Sequence, residues 1–110
     1  MTQNERALQV WSVLAYAAYN RQLLNYTILS KATGIPRVGL GRFLDVIAKY
    51  CKKHKIPPLS VIVVSSKTGK PGDGFPYKNE DLLKLINEVF EFDYLEYGCP
   101  SKELTDIQAT

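Results

Sequence analysis

Two helix-forming segments meet at Gly34, Ile35 and Pro36, and that break constrains the chain more than any other feature. Glycine supplies the left-handed backbone that ends a helix, and proline blocks simple continuation while suiting the first turn of a following helix. The segment before the break, residues 26–32, is short; the one after it is longer and carries Gly39, Gly41 and Arg42 near its start. A β-branched run at residues 59–64 comes next, then a Gly/Pro-rich basic loop at residues 67–74. Helix, tight turn, helix, strand and flexible basic loop is the order of a winged helix-turn-helix. The expected fold class is α+β, mainly α: a winged helix-turn-helix with a short β-hairpin wing and a C-terminal helix.

Apolar spacing fills in the remaining elements. A first helix is predicted over residues 4–20, capped by Asn4, with Leu8, Trp11, Val13, Leu14, Ala15, Ala18 and Tyr19 on its apolar face. Residues 22–24 read as an extended connector, and Asn25 or Tyr26 opens the second helix, which ends at Gly34. The third helix carries Val38, Leu40, Phe43, Leu44, Val46, Ile47 and Tyr50, frays through residues 51–55 and stops at Pro57 and Pro58. Residues 59–64 read as a buried strand, and a second β-segment at 75–77 returns along it. Asn79 is the expected cap of a last helix with Leu82, Leu83, Leu85, Ile86, Val89 and Phe90 inward, and residues 94–97 dock on the core. Residues 1–97 are thus expected to form one winged-helix domain, followed by a flexible tail at 98–110.

Charge is distributed unevenly. Residues 1–79 hold twelve Lys/Arg against Glu5, Asp45 and Asp73, whereas residues 80–110 hold two lysines against eight acids. A basic body suits a polyanion, because Lys and Arg neutralising phosphates supply most non-specific nucleic-acid affinity. An acidic end facing elsewhere suits a protein partner. Cys51 and Cys99 have no companion at metal-ligand spacing, so no metal or other cofactor is expected, and two reduced thiols fit a cytoplasmic protein. No apolar run reaches membrane-spanning length, and the N-terminus lacks the basic-then-apolar pattern of a secretory signal.

On this plan the third helix enters a DNA groove. Arg37 and Arg42 near its start, and Lys49 further along, are placed to reach phosphates or base edges, and Lys67 and Lys70 on the loop add phosphate contacts. Gly39 and Gly41 each cost a helix about 1 kcal/mol relative to Ala. Close approach to a ligand and close packing inside the domain explain that cost equally well.

The ordered residues resemble a known family. Asn25–Ser30, then Gly34, Ile35 and Pro36, then Gly39–Arg42, then Pro58–Lys67 and Gly69–Phe75, is similar to the DNA-binding domain of O6-alkylguanine-DNA alkyltransferases and their non-catalytic alkyltransferase-like relatives. That family reads Thr-Tyr-Gly-Glu-Leu-Ala, Gly-x-Pro, Arg-Ala-Val-Gly, Pro-(Leu/Ile)-Pro-x-x-x-Pro-Cys-His-Arg, and a Gly-rich wing. The resemblance covers about half the chain, and its first half is the more specific. It implies that Tyr26 presses on a phosphate while a nucleotide rotates, and that Arg37 or Arg42 fills the space of a flipped base. The chain departs from the pattern at the reactive motif: Ser65 falls at the alkyl-accepting Cys, Ser66 at the His and Lys67 at the Arg. An unassisted serine hydroxyl is a poor nucleophile, so alkyl transfer is not expected. Helix 3 is also longer than the pattern, with Lys52, Lys53, His54 and Lys55 at its end.

Other catalytic sets lack support. His54 is the single histidine, in a basic helix end where solvated or capping roles prevail, and a Ser65–His54 pair with Asp45 or Asp73 has no spacing behind it. The Gly69–Gly74 stretch lacks the ending of a phosphate loop. Asp45 reads as a surface ion-pair residue; Tyr16, Tyr19 and Tyr50 read as core, with Tyr26 open between core and DNA contact. The sequence therefore points to a non-catalytic DNA-binding protein, for duplex DNA including duplexes with a flipped or modified base. Its DNA-facing residues are Tyr26, Arg37, Gly39, Gly41, Arg42, Lys49, Ser65, Lys67 and Lys70. The alternative is a small protein-interaction module, such as a phage or mobile-element factor binding host machinery.

Overall fold

The helix pair predicted around Gly34 is present, and local chemistry explains each of its ends. The computed structural model describes residues 3–65 and 81–100. Helix α1 spans Gln3–Tyr19, strand β1 Leu24–Asn25, α2 Tyr26–Thr33 and α3 Arg37–Lys53. Asn25 caps α2: its Oδ1 accepts the Ile28 N–H at 2.8 Å. Gly34 closes α2 in the left-handed region (φ 75°), its N–H donating to the Ser30 carbonyl at 2.8 Å. The turn is then tied down by side chains. Ser30 Oγ donates to the Ile35 carbonyl at 2.6 Å, while Thr33 Oγ1 donates to the Leu29 carbonyl at 2.8 Å and accepts the Ile35 N–H at 3.2 Å. Ile35 itself is buried beneath the turn.

A Cβ on Gly34 would meet nothing within 4 Å, so only the backbone conformation opposes a side chain there. Gly34→Ala is accordingly expected to cost about 1–2 kcal/mol, the left-handed penalty of an L-residue. A shifted urea midpoint at constant slope checks it; an unshifted midpoint contradicts it.

Helices α1 and α3 end alike, each in a Schellman motif. Ile56 N–H reaches the Cys51 carbonyl at 3.0 Å and Lys55 N–H the Lys52 carbonyl at 3.3 Å; Gln22 to Ala17 (2.9 Å) and Arg21 to Ala18 (3.0 Å) repeat the pattern. Lys55 (φ 57°) and Arg21 (φ 54°) occupy the left-handed position where glycine is usual. The expected fraying of the third helix from Cys51 does not occur. Helical structure continues to Lys53 because Cys51 is fully buried and His54 serves as C-cap.

Residues 59–64 depart further from expectation. A 3₁₀ helix spans Leu59–Ile62 with all four residues buried, and only Val63–Val64 form a strand, β2. β2 pairs in parallel with β1, Leu24 beside Val63 and Asn25 beside Val64, a partner not expected from the sequence. A contiguous buried run has no period to distinguish strand from helix, and a strand extends only as far as a neighbour offers hydrogen bonds. Here that neighbour is two residues long. The expected wing loop at 67–74, the β-segment at 75–77, Asn79 and the tail beyond residue 100 lie outside the described residues.

Helix α4 spans Leu82–Glu91 and α5 Tyr94–Tyr97. Asp81, and not the expected Asn79, caps α4, its Oδ1 accepting from Leu83 N (3.1 Å) and Lys84 N (3.4 Å). α1 is the central element, packed against α2, α3, the 3₁₀ helix, α4 and α5. Trp11, Leu14, Phe43, Ile47, Leu59 and Tyr94 are among its fully buried core partners and members. The expected docking of residues 94–97 holds: Tyr94 Oη donates to the Pro57 carbonyl at 2.6 Å, and the Tyr97 and Tyr50 hydroxyls bond at 2.8 Å. Pro100 is buried, and the rest of the expected tail lies outside the described residues. Several side chains assigned inward face solvent: Leu83, Tyr16 and Tyr19 are exposed, as is Val38 of the third helix. Each lies on a helix flank whose opposite side already fills the space against its neighbours.

Candidate nucleic-acid interface

One face of α3 is buried and the other is open. Leu40, Phe43, Leu44, Ile47, Tyr50 and Cys51 point into the core. Val38, Gly41, Arg42, Asp45 and Lys49 recur at three- and four-residue steps, so they form one stripe on the outer side. Arg37, the first residue of the helix, and Arg42 are both exposed. The Arg42 guanidinium lies 5.2 Å from the centre of the Phe43 ring. Lys49 Nζ meets Asp45 Oδ2 at 3.0 Å, the surface ion pair expected of Asp45. An exposed pair of this spacing is worth only about 0.3–0.5 kcal/mol, so a phosphate can displace the carboxylate at little cost. Lys52 and Lys53 continue the exposed basic surface toward the end of the helix.

The two glycines separate. A Cβ on Gly39 would lie 3.4 Å from Ile35 Cγ2, a packing contact against the turn at the near edge of the ordinary range. A Cβ on Gly41 would meet nothing within 4 Å. Packing among the described residues therefore gives Gly41 no reason to be glycine, although it sits mid-stripe in a helix interior.

Tyr26 and Ser65 each directly follow a strand of the small sheet. Asn25 is registered beside Val64, and these are the residues next in the chain. Tyr26 is half-buried at the start of α2, and Ser65 is half-buried just after β2. The expected interface thus resolves into two groups, Arg37, Gly41, Arg42 and Lys49 along α3, and Tyr26 with Ser65 at the sheet end. Lys67 and Lys70 lie outside the described residues. The residue sequence reasoning missed is Val38: it was read only as one of the apolar residues of the third helix and is 98% exposed, at the second position of α3. Its place on the outer stripe with Gly41 and Arg42 was the available signal.

The thiols behave differently from one another. Burial pushes the Cys51 thiol up to about 12, against the weaker opposing effect of a hydrogen bond from the Leu59 backbone. A thiol held that high is not a nucleophile at neutral pH. Because the folded value lies above the ordinary thiol value of 9.0, Cys51 adds stability that is whole below pH 9 and lost as pH rises toward 12. Cys99 is exposed. At pH 7.5 the native chain is expected to show one thiol to an aromatic disulfide reagent, and two after unfolding; two fast-reacting native thiols contradict this. His54 is the C-cap of α3, and its ring lies against Tyr50 with centroids 4.3 Å apart.

Among the described residues no helix is long and apolar enough to cross a membrane, and no three His, Cys, Asp or Glu gather as a metal site. No family model, curated protein or solved structure matches the chain. The alkyltransferase resemblance is therefore carried by the chain's own residues alone.

Proposed function

We propose that this chain binds double-stranded DNA through the α2–α3 helix-turn-helix and performs no chemical step on it. The observation that carries the reading is the outer stripe of α3. It follows a glycine-closed turn, bears Arg37, Arg42 and Lys49, and includes a glycine that no internal packing explains. The second helix of such a pair is the element that enters a groove, and a missing side chain lets the backbone approach a duplex closely. The basic body supplies the electrostatic part of the affinity, with Lys67 and Lys70 as phosphate contacts of a wing. Tyr26, at the sheet end, is the residue for a phosphate beside a displaced base, as in alkyltransferase-like binders. Ser65 at the reactive position and a buried Cys51 both speak against alkyl transfer.

The test is a salt titration of binding to a labelled duplex, combined with Gly41→Ala. Log affinity is expected to fall linearly with log salt, by about 0.9 for each phosphate neutralised. Gly41→Ala is expected to raise stability by about 1 kcal/mol while weakening the duplex complex. A stabilised variant with unchanged binding removes Gly41 from the interface, and no binding at low salt rejects the reading.

A second reading has its own observation. Tyr16 and Tyr19 are 64% and 63% exposed near the end of α1, with Leu23 also exposed just beyond. Tyrosine is enriched in protein interfaces. A protein-interaction module, with the acidic C-terminal region as a further contact, is favoured if one stoichiometric protein partner is retained and DNA is not.

A further inference from the structure

We propose that Lys55, with Lys52 and Lys53, forms a phosphate-binding cluster at the far end of α3, extending nucleic-acid contact well beyond the helix-turn-helix. The inference rests on the DNA-binding reading above, but it concerns only the sugar-phosphate backbone and requires no particular groove. All three side chains are exposed, within four residues of one another. Their turn is fixed: the His54 N–H donates to the Tyr50 carbonyl at 3.0 Å, the Lys55 N–H to Lys52 at 3.3 Å and the Ile56 N–H to Cys51 at 3.0 Å. A polyanion therefore meets cations carried on a preformed surface, and it relieves the repulsion among them. Lys53 lies about 24 Å along the helix from Arg37, so the cluster reaches phosphates that Arg37 does not.

The backbone of Lys55 supplies the independent observation. It lies in the left-handed region (φ 57°), where glycine closes a helix readily and an L-residue is disfavoured. A cation near a helix C-terminus has a structural use, because it offsets the negative end of the dipole. Yet α3 already carries Lys52 and Lys53 in its last turn. Arg21 makes the comparison: it closes α1 at φ 54°, and the last turn of α1 holds no basic residue. The dipole thus accounts for Arg21 and leaves Lys55 without a comparable reason. A phosphate contact supplies one.

The experiment measures binding of the full chain to two unrelated duplexes across a salt series, comparing the parent with K55G and R21G. Both substitutions put glycine at a left-handed position and remove one positive charge, so they differ chiefly in place. K55G is expected to weaken both duplexes alike, about eightfold at ~0.1 M salt, and to lower the salt slope by about 0.9, the value of one phosphate contact. It should melt at or above the parent, since glycine suits the backbone there. R21G should bind within about twofold of the parent, a distant exposed charge being largely screened. K52Q combined with K53Q should lower the slope by about 1.8. An unchanged slope in K55G or in the double variant overturns the inference and leaves the DNA reading standing. So does a loss in R21G equal to that in K55G, which reports net charge alone, or a K55G protein that melts well below the parent. A K55G effect confined to vesicles of anionic phospholipid assigns the cluster to a membrane surface and overturns it as well. Failure to bind any duplex at low salt overturns both readings together.

Discussion

Arg37→Ala combined with Arg42→Ala is expected to weaken duplex binding by about 10- to 100-fold at low salt and to flatten the salt dependence by nearly two units of slope. Both side chains are exposed, so little of the fold depends on them. Arg37 opens α3, where the positive end of the helix dipole makes a cation mildly unfavourable. Its presence is thus better explained by a ligand than by helix stability. Arg42 gives up its approach to the Phe43 ring, an interaction worth roughly 0.5–1 kcal/mol at an exposed site. The double variant should therefore melt within a few degrees of the parent while losing most of its DNA affinity. Isotherms at several salt concentrations decide the matter. If affinity and slope both survive the double substitution, α3 does not face the nucleic acid. The two single variants also show whether Arg37 or Arg42 carries the larger share.

Trp11→Ala is the largest expected effect on stability, about 3–5 kcal/mol. The indole is fully buried and meets Tyr50 edge-on at 5.5 Å and Tyr94 edge-on at 5.9 Å, with Tyr97 tilted at 6.3 Å. It thereby joins α1 to α3 and to α5. Domains of this size hold only about 5–15 kcal/mol in total, so the substitution removes a large share of it. Trp11→Phe makes an instructive companion. The indole N–H meets no acceptor among the described residues, so phenylalanine loses packing but also sheds a desolvated donor. Its cost should be well under half that of alanine. Urea unfolding of both variants checks this, and equal losses would mean that the N–H is satisfied in solution.

The parts of the fold that were legible in the sequence are those governed by local chemistry. Asn25 caps α2 and Gly34 closes it because an amide oxygen and a left-handed glycine act within three or four residues of themselves. Lys49 finds Asp45 for the same reason, one helical turn away. What escaped depends on distant neighbours. Whether residues 59–64 extend or coil is decided by the short reach of Leu24–Asn25 beside them, which the run Leu59–Ile62 does not encode. Leu83, Tyr16 and Tyr19 were read inward because they are apolar or aromatic, yet they are exposed. Side-chain type is only a one-way guide, since much of any protein surface is apolar. At the candidate site the charges on α3 were legible, whereas the different surroundings of Gly39 and Gly41 emerge only in three dimensions.

The hydroxyls of Ser30 and Thr33 bond across the turn to both polar backbone groups of Ile35, whose side chain is buried beneath. A helix pair fastened in this way has little conformational freedom left to surrender if it forms a complex. Ordering a loop or a set of side chains at the moment of association subtracts directly from affinity. Here that ordering is completed during folding, so α2 and α3 can meet a ligand as one body. Discrimination between ligands must then come from the contacts each one makes with a fixed surface, and a poorly matched ligand is met with gaps rather than with rearrangement.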